Sequence, residues 1–244
     1  MANESPLLGN KMGTMPVGKL LVNMALPMII SMLVQALYNI VDSIFVSQIS
    51  PNAVTALSLA FPIQNVQIGF ATGIGVGVNA LLSKSLGEGN QQAANRAAGN
   101  GIFLVGIATV LFMLFGIFGA KPYFSMQSQE ALTVQYGTEY AFICCVGTLG
   151  IFAQVLGERL LQATGRTFLT MITQSTGAII NIALDWFFIF GVEYLGLPSM
   201  GIAGAALATV IGQWVAAIMN FVFNHKYNPD VQLSLKNILP KKET

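Results

Sequence analysis

Six apolar stretches, each long enough to cross about 30 Å of hydrocarbon as a helix, recur along a chain of 244 residues. They run over residues 20–49, 54–82, 97–119, 132–156, 168–192 and 202–223, separated by short segments rich in Pro, Gly, Asn and charge. Hydrocarbon offers backbone N–H and C=O groups no water, so each stretch must satisfy its own backbone as a helix. The fold class expected is therefore all-α: a polytopic membrane protein built as a six-transmembrane-helix bundle. Only 9% of residues are charged, against about 25% in ordinary soluble domains, and the mean hydropathy is +0.67.

The first apolar run is too long for a signal-peptide core and no small-residue cleavage pattern follows it, so it reads as a retained span. The expected organisation is a polar cytoplasmic segment at 1–19, the membrane lobe at 20–223, and a cytoplasmic tail or connector at 224–244. An even number of spans puts both ends on one side. With that side cytoplasmic, Lys11, Lys19, Lys84, Arg96, Arg159, Arg166, Lys226, Lys236, Lys241 and Lys242 all lie inside and Lys121 alone lies outside. This is the bias of the positive-inside rule, and it predicts a multi-pass protein of the cell membrane, of the bacterial inner-membrane kind.

Two acids break the apolar runs. Asp42 lies in "QALYNIVDSIF" and Asp185 in "NIALDWFFIFG", each seven residues before the end of an outward-running span. At 1.5 Å per residue both sit roughly 10 Å below the outer boundary. Thr209, seven residues into the returning sixth span, falls in the same layer, and Asn181 is one helical turn before Asp185 on the same face. Gln35, Asn39 and Asp42 form one polar stripe at i, i+4 and i+7. No Lys, Arg or His is expected within a span to neutralise these acids, so they need a proton, a metal cation or a cationic ligand. Neighbouring carboxylates cannot both ionise cheaply, and their protonation is coupled. Neutral oxygens from Asn181 and Thr209 give the layer the hard-oxygen character that suits sodium or an exchangeable proton. A cavity lined by Gln35, Asn39 and Gln64 is expected beside it.

Other classes are excluded by what the chain lacks. The net charge of +1 and the absence of a basic stripe argue against nucleic acid. Adjacent Cys144 and Cys145 point to different helix faces and make neither a disulfide framework nor a metal site. The single histidine, His225, is remote from the acids, so no nucleophile–base set can be assembled and the chain is not expected to be an enzyme or to need a cofactor. Gly69, Gly73 and Gly77, and again Gly204, Ala208 and Gly212, recur every four residues and are expected to be helix contacts. Pro27 and Pro62 should bend the first two spans.

The segments "NIVDSIFVSQIS", "GIGVGVNALLSKSLGEGN", "LLQATGRT" and "NIALDWFFIFG" followed by "GIAGAALATVIGQ" resemble the multidrug and toxic compound extrusion (MATE) transporters over nearly the whole chain. That resemblance implies secondary transport: export of amphipathic or cationic drugs in exchange for sodium or protons, by two six-helix lobes of which this chain is similar to the amino-terminal one. It also implies cation binding at Asp42, Asn181, Asp185 and Thr209. Trp186 stands where the family often has proline. The implied partners are a drug-sized small molecule, the bilayer and a second six-helix lobe, either a missing half or a second copy. The competing expectations are a non-transporting membrane module and a lipid flippase of related architecture.

Overall fold

The computed structural model describes residues 11–191 and 198–231, and every regular element among them is helical. The order is α1 (Lys11–Thr14), α2 (Val17–Ser47), α3 (Pro51–Gly87), α4 (Gln91–Leu114), a π-helical turn (Phe115–Gly119), α5 (Ala120–Gln127), α6 (Ala131–Val146), α7 (Leu149–Ala163), α8 (Thr167–Phe190) and α9 (Gly201–Tyr227). Five helical segments are long and apolar enough to span, and α6 with α7, bent by 47° at their junction, makes a sixth. The six expected stretches are thus found, with shifted ends: the first ends at Ser47 and the fifth at Phe190, the third runs on as helix from Gln91 to Gln127, and the fourth ends at Ala163 rather than at 156. The segments 1–10, 192–197 and 232–244, including most of the expected terminal segments, lie outside the described residues.

Short polar turns reverse the chain between consecutive spans. The Ser50 hydroxyl accepts the Ala53 N–H at 3.1 Å with Pro51 at the first helical position of α3, and the Asn90 side chain caps α4 through the Ala93 N–H at 3.0 Å. At the other helix ends the chain must reverse through a left-handed residue, and glycine supplies it: Gly89 closes α3 with Asn90 N–H to Ser85 C=O at 2.8 Å, and Gly165 closes α7 with Arg166 N–H to Leu161 C=O at 2.8 Å.

Side chains from neighbouring helices brace the chain near Pro62 and at the break between α6 and α7. Tyr123 donates to the Leu59 carbonyl at 3.1 Å, one turn before Pro62. Where α6 gives way to α7, the fully buried Thr148 accepts from Gln67 on α3 at 3.0 Å.

Small side chains dominate the interior. One core cluster joins Val46, Ala53, Ala56, Phe124, Tyr140, Ile189 and Ile202, and a second, toward the other end, joins Leu82, Leu86, Ala94, Ala98, Phe152 and Leu160. Large apolar residues such as Leu26, Leu33 and Leu37 on α2, Phe118 and Phe221 face outward, as lipid-facing surfaces do. Of the two glycine series only one is a contact. A Cβ on Gly204 would lie 2.6 Å from the Phe188 carbonyl and one on Gly212 2.8 Å from the Gly177 carbonyl, so α8 and α9 touch backbone to backbone. Gly69, Gly73 and Gly77 have nothing within 4 Å, and the expectation that they pack within the lobe is corrected: the inward face of α3 runs through Gln67, Ala71, Gly75 and Val78 instead.

Candidate functional site

The α8–α9 contact brings the polar layer together. Asn181 is 3% exposed, Asp185 0% and Thr209 9%. The Asn181 amide fits when its Nδ2 donates to Asp185 Oδ2 at 3.3 Å and its Oδ1 accepts the Thr209 backbone N–H at 3.2 Å; turned over, Nδ2 faces Thr209 Oγ1 at 3.3 Å. Asp42 reaches the same region from α2, which lies along α8 with Phe45 edge-on to Phe190 at 5.9 Å between ring centres. The Asp42 carboxyl is within electrostatic reach of Asp185 and is itself buried. One oxygen of each carboxyl, Asp42 Oδ1 and Asp185 Oδ1, is buried with no hydrogen-bond partner. Two unpartnered carboxyl oxygens in a low-dielectric layer are what a bound cation or a proton would satisfy. Among the described residues no group of three His, Cys, Asp or Glu side chains could hold a metal ion, so an ion here would take mixed carboxyl, amide and hydroxyl oxygens.

Beside this layer, between α2, α3, α7, α8 and α9, opens a cavity to which Gln35, Tyr38, Asn181 and Thr209 contribute. Asn39 lies on an exposed part of α2 and does not line it. Gln64 does not line it either: its amide donates to the Tyr140 hydroxyl at 2.8 Å, because α6 rather than α2 faces that turn of α3.

The cavity continues to two charged residues that hydropathy had left outside the spans. Glu158, on the part of α7 beyond residue 156, is 3% exposed, with Oε1 accepting from Gln154 at 3.0 Å and Oε2 from Gln174 at 2.8 Å. Arg159 lines the same cavity. The expectation that no basic residue lies within a span is corrected by the continuation of α7, which includes Arg159. Its aliphatic stem fits only because Gly75 has no side chain: a Cβ there would lie 2.7 Å from Arg159 Cγ. The amphipathic recurrence of Gln154 and Glu158, one turn apart, was the available signal for this end of the cavity.

At the same end of the lobe, Asn220 and Asn224 on α9 and Asn228 at its carboxyl cap donate to the carbonyls of Gln154, Gly157 and Leu160 on α7 at 3.3, 2.9 and 3.4 Å. Arg166 pairs with Asp230 at 3.1 Å, and Gln91 holds the Asp230 carbonyl at 2.7 Å. Cys144 and Cys145 are free thiols buried in the packing.

Known proteins align with this architecture. A flavin adenine dinucleotide (FAD) transporter of Shewanella oneidensis is 29% identical over 203 residues, 83% of this chain and 44% of the relative. A probable multidrug resistance protein NorM of Thermotoga maritima is 26% identical over 205 residues, 84% of this chain and 44% of the relative. Among solved structures, a MOP-superfamily transporter of Pyrococcus furiosus superposes with a TM-score of 0.84 at 26% identity, covering 100% of this chain and 52% of that one. An outward-facing multidrug resistance MATE transporter superposes with a TM-score of 0.85 at 27% identity and the same coverage. The chain spans about half the length of the curated relatives it matches. The MatE family profile matches residues 27–187, most of the chain, and the fold matches the amino-terminal lobe of its solved structures; the chain belongs to the MatE family of multidrug and toxic compound extrusion transporters, which are secondary transporters and not enzymes.

Proposed function

We propose that this chain is the ion-binding lobe of a cation-coupled exporter of drugs and organic cations, with Asp42, Asn181, Asp185 and Thr209 holding the coupling sodium or proton. The observation that carries this reading is the pair of buried, partnerless oxygens Asp42 Oδ1 and Asp185 Oδ1, supplied by two packed helices, with the Asn181 amide and the Thr209 hydroxyl next to Asp185. Entry of a cation would satisfy both and draw α2, the least buried long helix, onto α8. That movement would change access to the cavity that Gln35 and Tyr38 share with Asn181, so cation and substrate could displace each other.

Transport across the membrane needs a second six-helix lobe, supplied by a continuation of the chain or by another copy. The open glycine face at Gly69, Gly73 and Gly77 is a surface on which a helix of such a lobe could pack closely. The protein would sit in the cell membrane with both ends cytoplasmic.

The test is sodium binding to the purified chain by isothermal titration calorimetry, repeated on Asp42→Asn and Asp185→Asn, with proton release followed in weak buffer. Binding of sodium or exchange of a proton that both variants lose supports the reading. Neither event in a folded wild-type chain sinks it. Sizing in detergent after cross-linking then reports whether two lobes assemble.

A second reading, an anionic cargo, has one observation in its favour: Arg159 lines the cavity with its Nε buried and unpartnered. One aligned relative is named for FAD transport. Flavin adenine dinucleotide binding lost in Arg159→Gln would establish it.

A further inference from the structure

The geometry points to a second subsite in the same cavity: Glu158, presented by Gln154 and Gln174, takes the positively charged end of an organic cation. It rests on the reading of this chain as an exporter lobe for such cations, and adds to the Asp42 and Asp185 layer, which lies behind Asn181 and outside the cavity lining, a separate carboxylate that lines the cavity itself.

A carboxylate this deeply buried needs compensating charge. Among the described residues the ion pairs are Lys84 with Glu88 and Arg166 with Asp230, and Glu158 has none. Its sequence neighbour Arg159 also lines the cavity and its charge is felt at Glu158, but Arg159 Nη1 bonds Gln162 Oε1 at 2.7 Å and no direct ion pair with the Glu158 carboxyl forms. Gln154 and Gln174 each donate one amide N–H to a different Glu158 oxygen. Two donors fix the plane of the carboxylate, and even with Asn220 close by as a further polar neighbour the four lone pairs of the carboxylate are not all taken. Both glutamines line the cavity with Glu158, so the acid and its supports face space that a ligand can enter.

The rest of that space suits an amphipathic cation. Ile68 and Val155 provide apolar walls and Tyr38 an aromatic ring, and a cation near a ring face gains about 0.5–2 kcal/mol. Glu158 lines the cavity, and Asn181 and Thr209 border it next to the Asp42 and Asp185 layer, so an organic cation at Glu158 and a small cation at the two aspartates repel through the intervening low dielectric. That repulsion gives exchange a physical basis without the two sharing a ligand residue.

The experiment measures binding of tetraphenylphosphonium, a permanent cation with no proton to titrate, to the purified full chain in nanodiscs by equilibrium dialysis, with neutral triphenylphosphine oxide as the comparison. Glu158→Gln should weaken the cation at least ten-fold and leave the neutral compound within two-fold of wild type. Glu158→Asp, which keeps the charge, should recover most of the loss. A cation affinity in folded Glu158→Gln within three-fold of wild type, or equal losses for the cation and the neutral compound, overturns the inference, as does a wild-type chain that binds no tetraphenylphosphonium. Should Glu158→Gln fail to fold, photolabelling of the wild-type chain with an azide-bearing tetraphenylphosphonium decides: label on α7 or α8 around Glu158 and Gln174 supports the subsite, and label elsewhere overturns it. Asp42→Asn separates the two readings. Cation binding lost there and kept in Glu158→Gln overturns the subsite but leaves an ion-binding lobe, whereas sodium or proton binding that ignores both aspartates sinks the ion-site reading alone.

Discussion

Gly177 on α8 and Gly212 on α9 face each other so closely that a Cβ on either would lie within 2.9 Å of the other's carbonyl oxygen. This contact sets the distance across which Asn181 meets Thr209, so the ion layer depends on a packing detail one turn away.

Gly212→Ala should therefore do more than overpack. Forcing the backbones apart costs about 1–3 kcal/mol, lowers the thermal midpoint in detergent and weakens sodium or proton binding at the same time. Gly73→Ala, where nothing lies within 4 Å, is the control. An added methyl in an open helical position should be neutral or stabilise by up to about 1 kcal/mol in the isolated chain. Equal melting behaviour of the two variants would contradict the packing argument.

Ion binding should also stabilise the fold. A ligand at about 100 times its dissociation constant adds about 2.7 kcal/mol, so the wild-type chain should melt later in sodium chloride than in choline chloride if sodium is the coupling ion. Asp42→Asn and Asp185→Asn should each remove that difference, because each of these carboxyls has a buried oxygen with no other partner.

The junction of α6 and α7 offers a separate test. Thr148→Val leaves the buried Gln67 amide with only the weak acceptor Cys145 Sγ at 3.6 Å and should cost about 1 kcal/mol. Adding Gln67→Leu removes the poorly satisfied donor, so the double variant should be less destabilised than the sum of the single ones. Strict additivity in a double-mutant cycle of melting free energies would mean that the bond does not brace the bend.

The pair of Arg166 and Asp230 is partly shielded, with side chains 26% and 9% exposed. Asp230→Asn should cost about 1–2 kcal/mol, between the values for exposed and buried pairs, and the loss should shrink when melting is repeated in high salt. A variant as stable as wild type at low salt would show that the bond contributes nothing there.

Hydropathy by itself determined the six spans, because hydrocarbon leaves a lone backbone segment no alternative to a helix. The grouping of Asn181, Asp185 and Thr209 was legible too, since helical rise converts sequence distance into position along α8 and α9. Whether Asn181 turns its amide to Asp185 or to Thr209 was not, because that depends on how closely α8 and α9 approach.

Tertiary structure alone decided which small residues are contacts. A four-residue glycine spacing marks a face of α3 but not what that face meets, and the inward position proved to be Gly75, under Arg159. It also decided where the membrane lobe keeps its charge. Residue-by-residue hydropathy ends the fourth span at 156, whereas the helix continues to Ala163 because Gln154, Gln174 and the asparagines of α9 satisfy the polar groups of that last stretch. Burial of Glu158 depends on those partners from other helices, and no single stretch of sequence contains them.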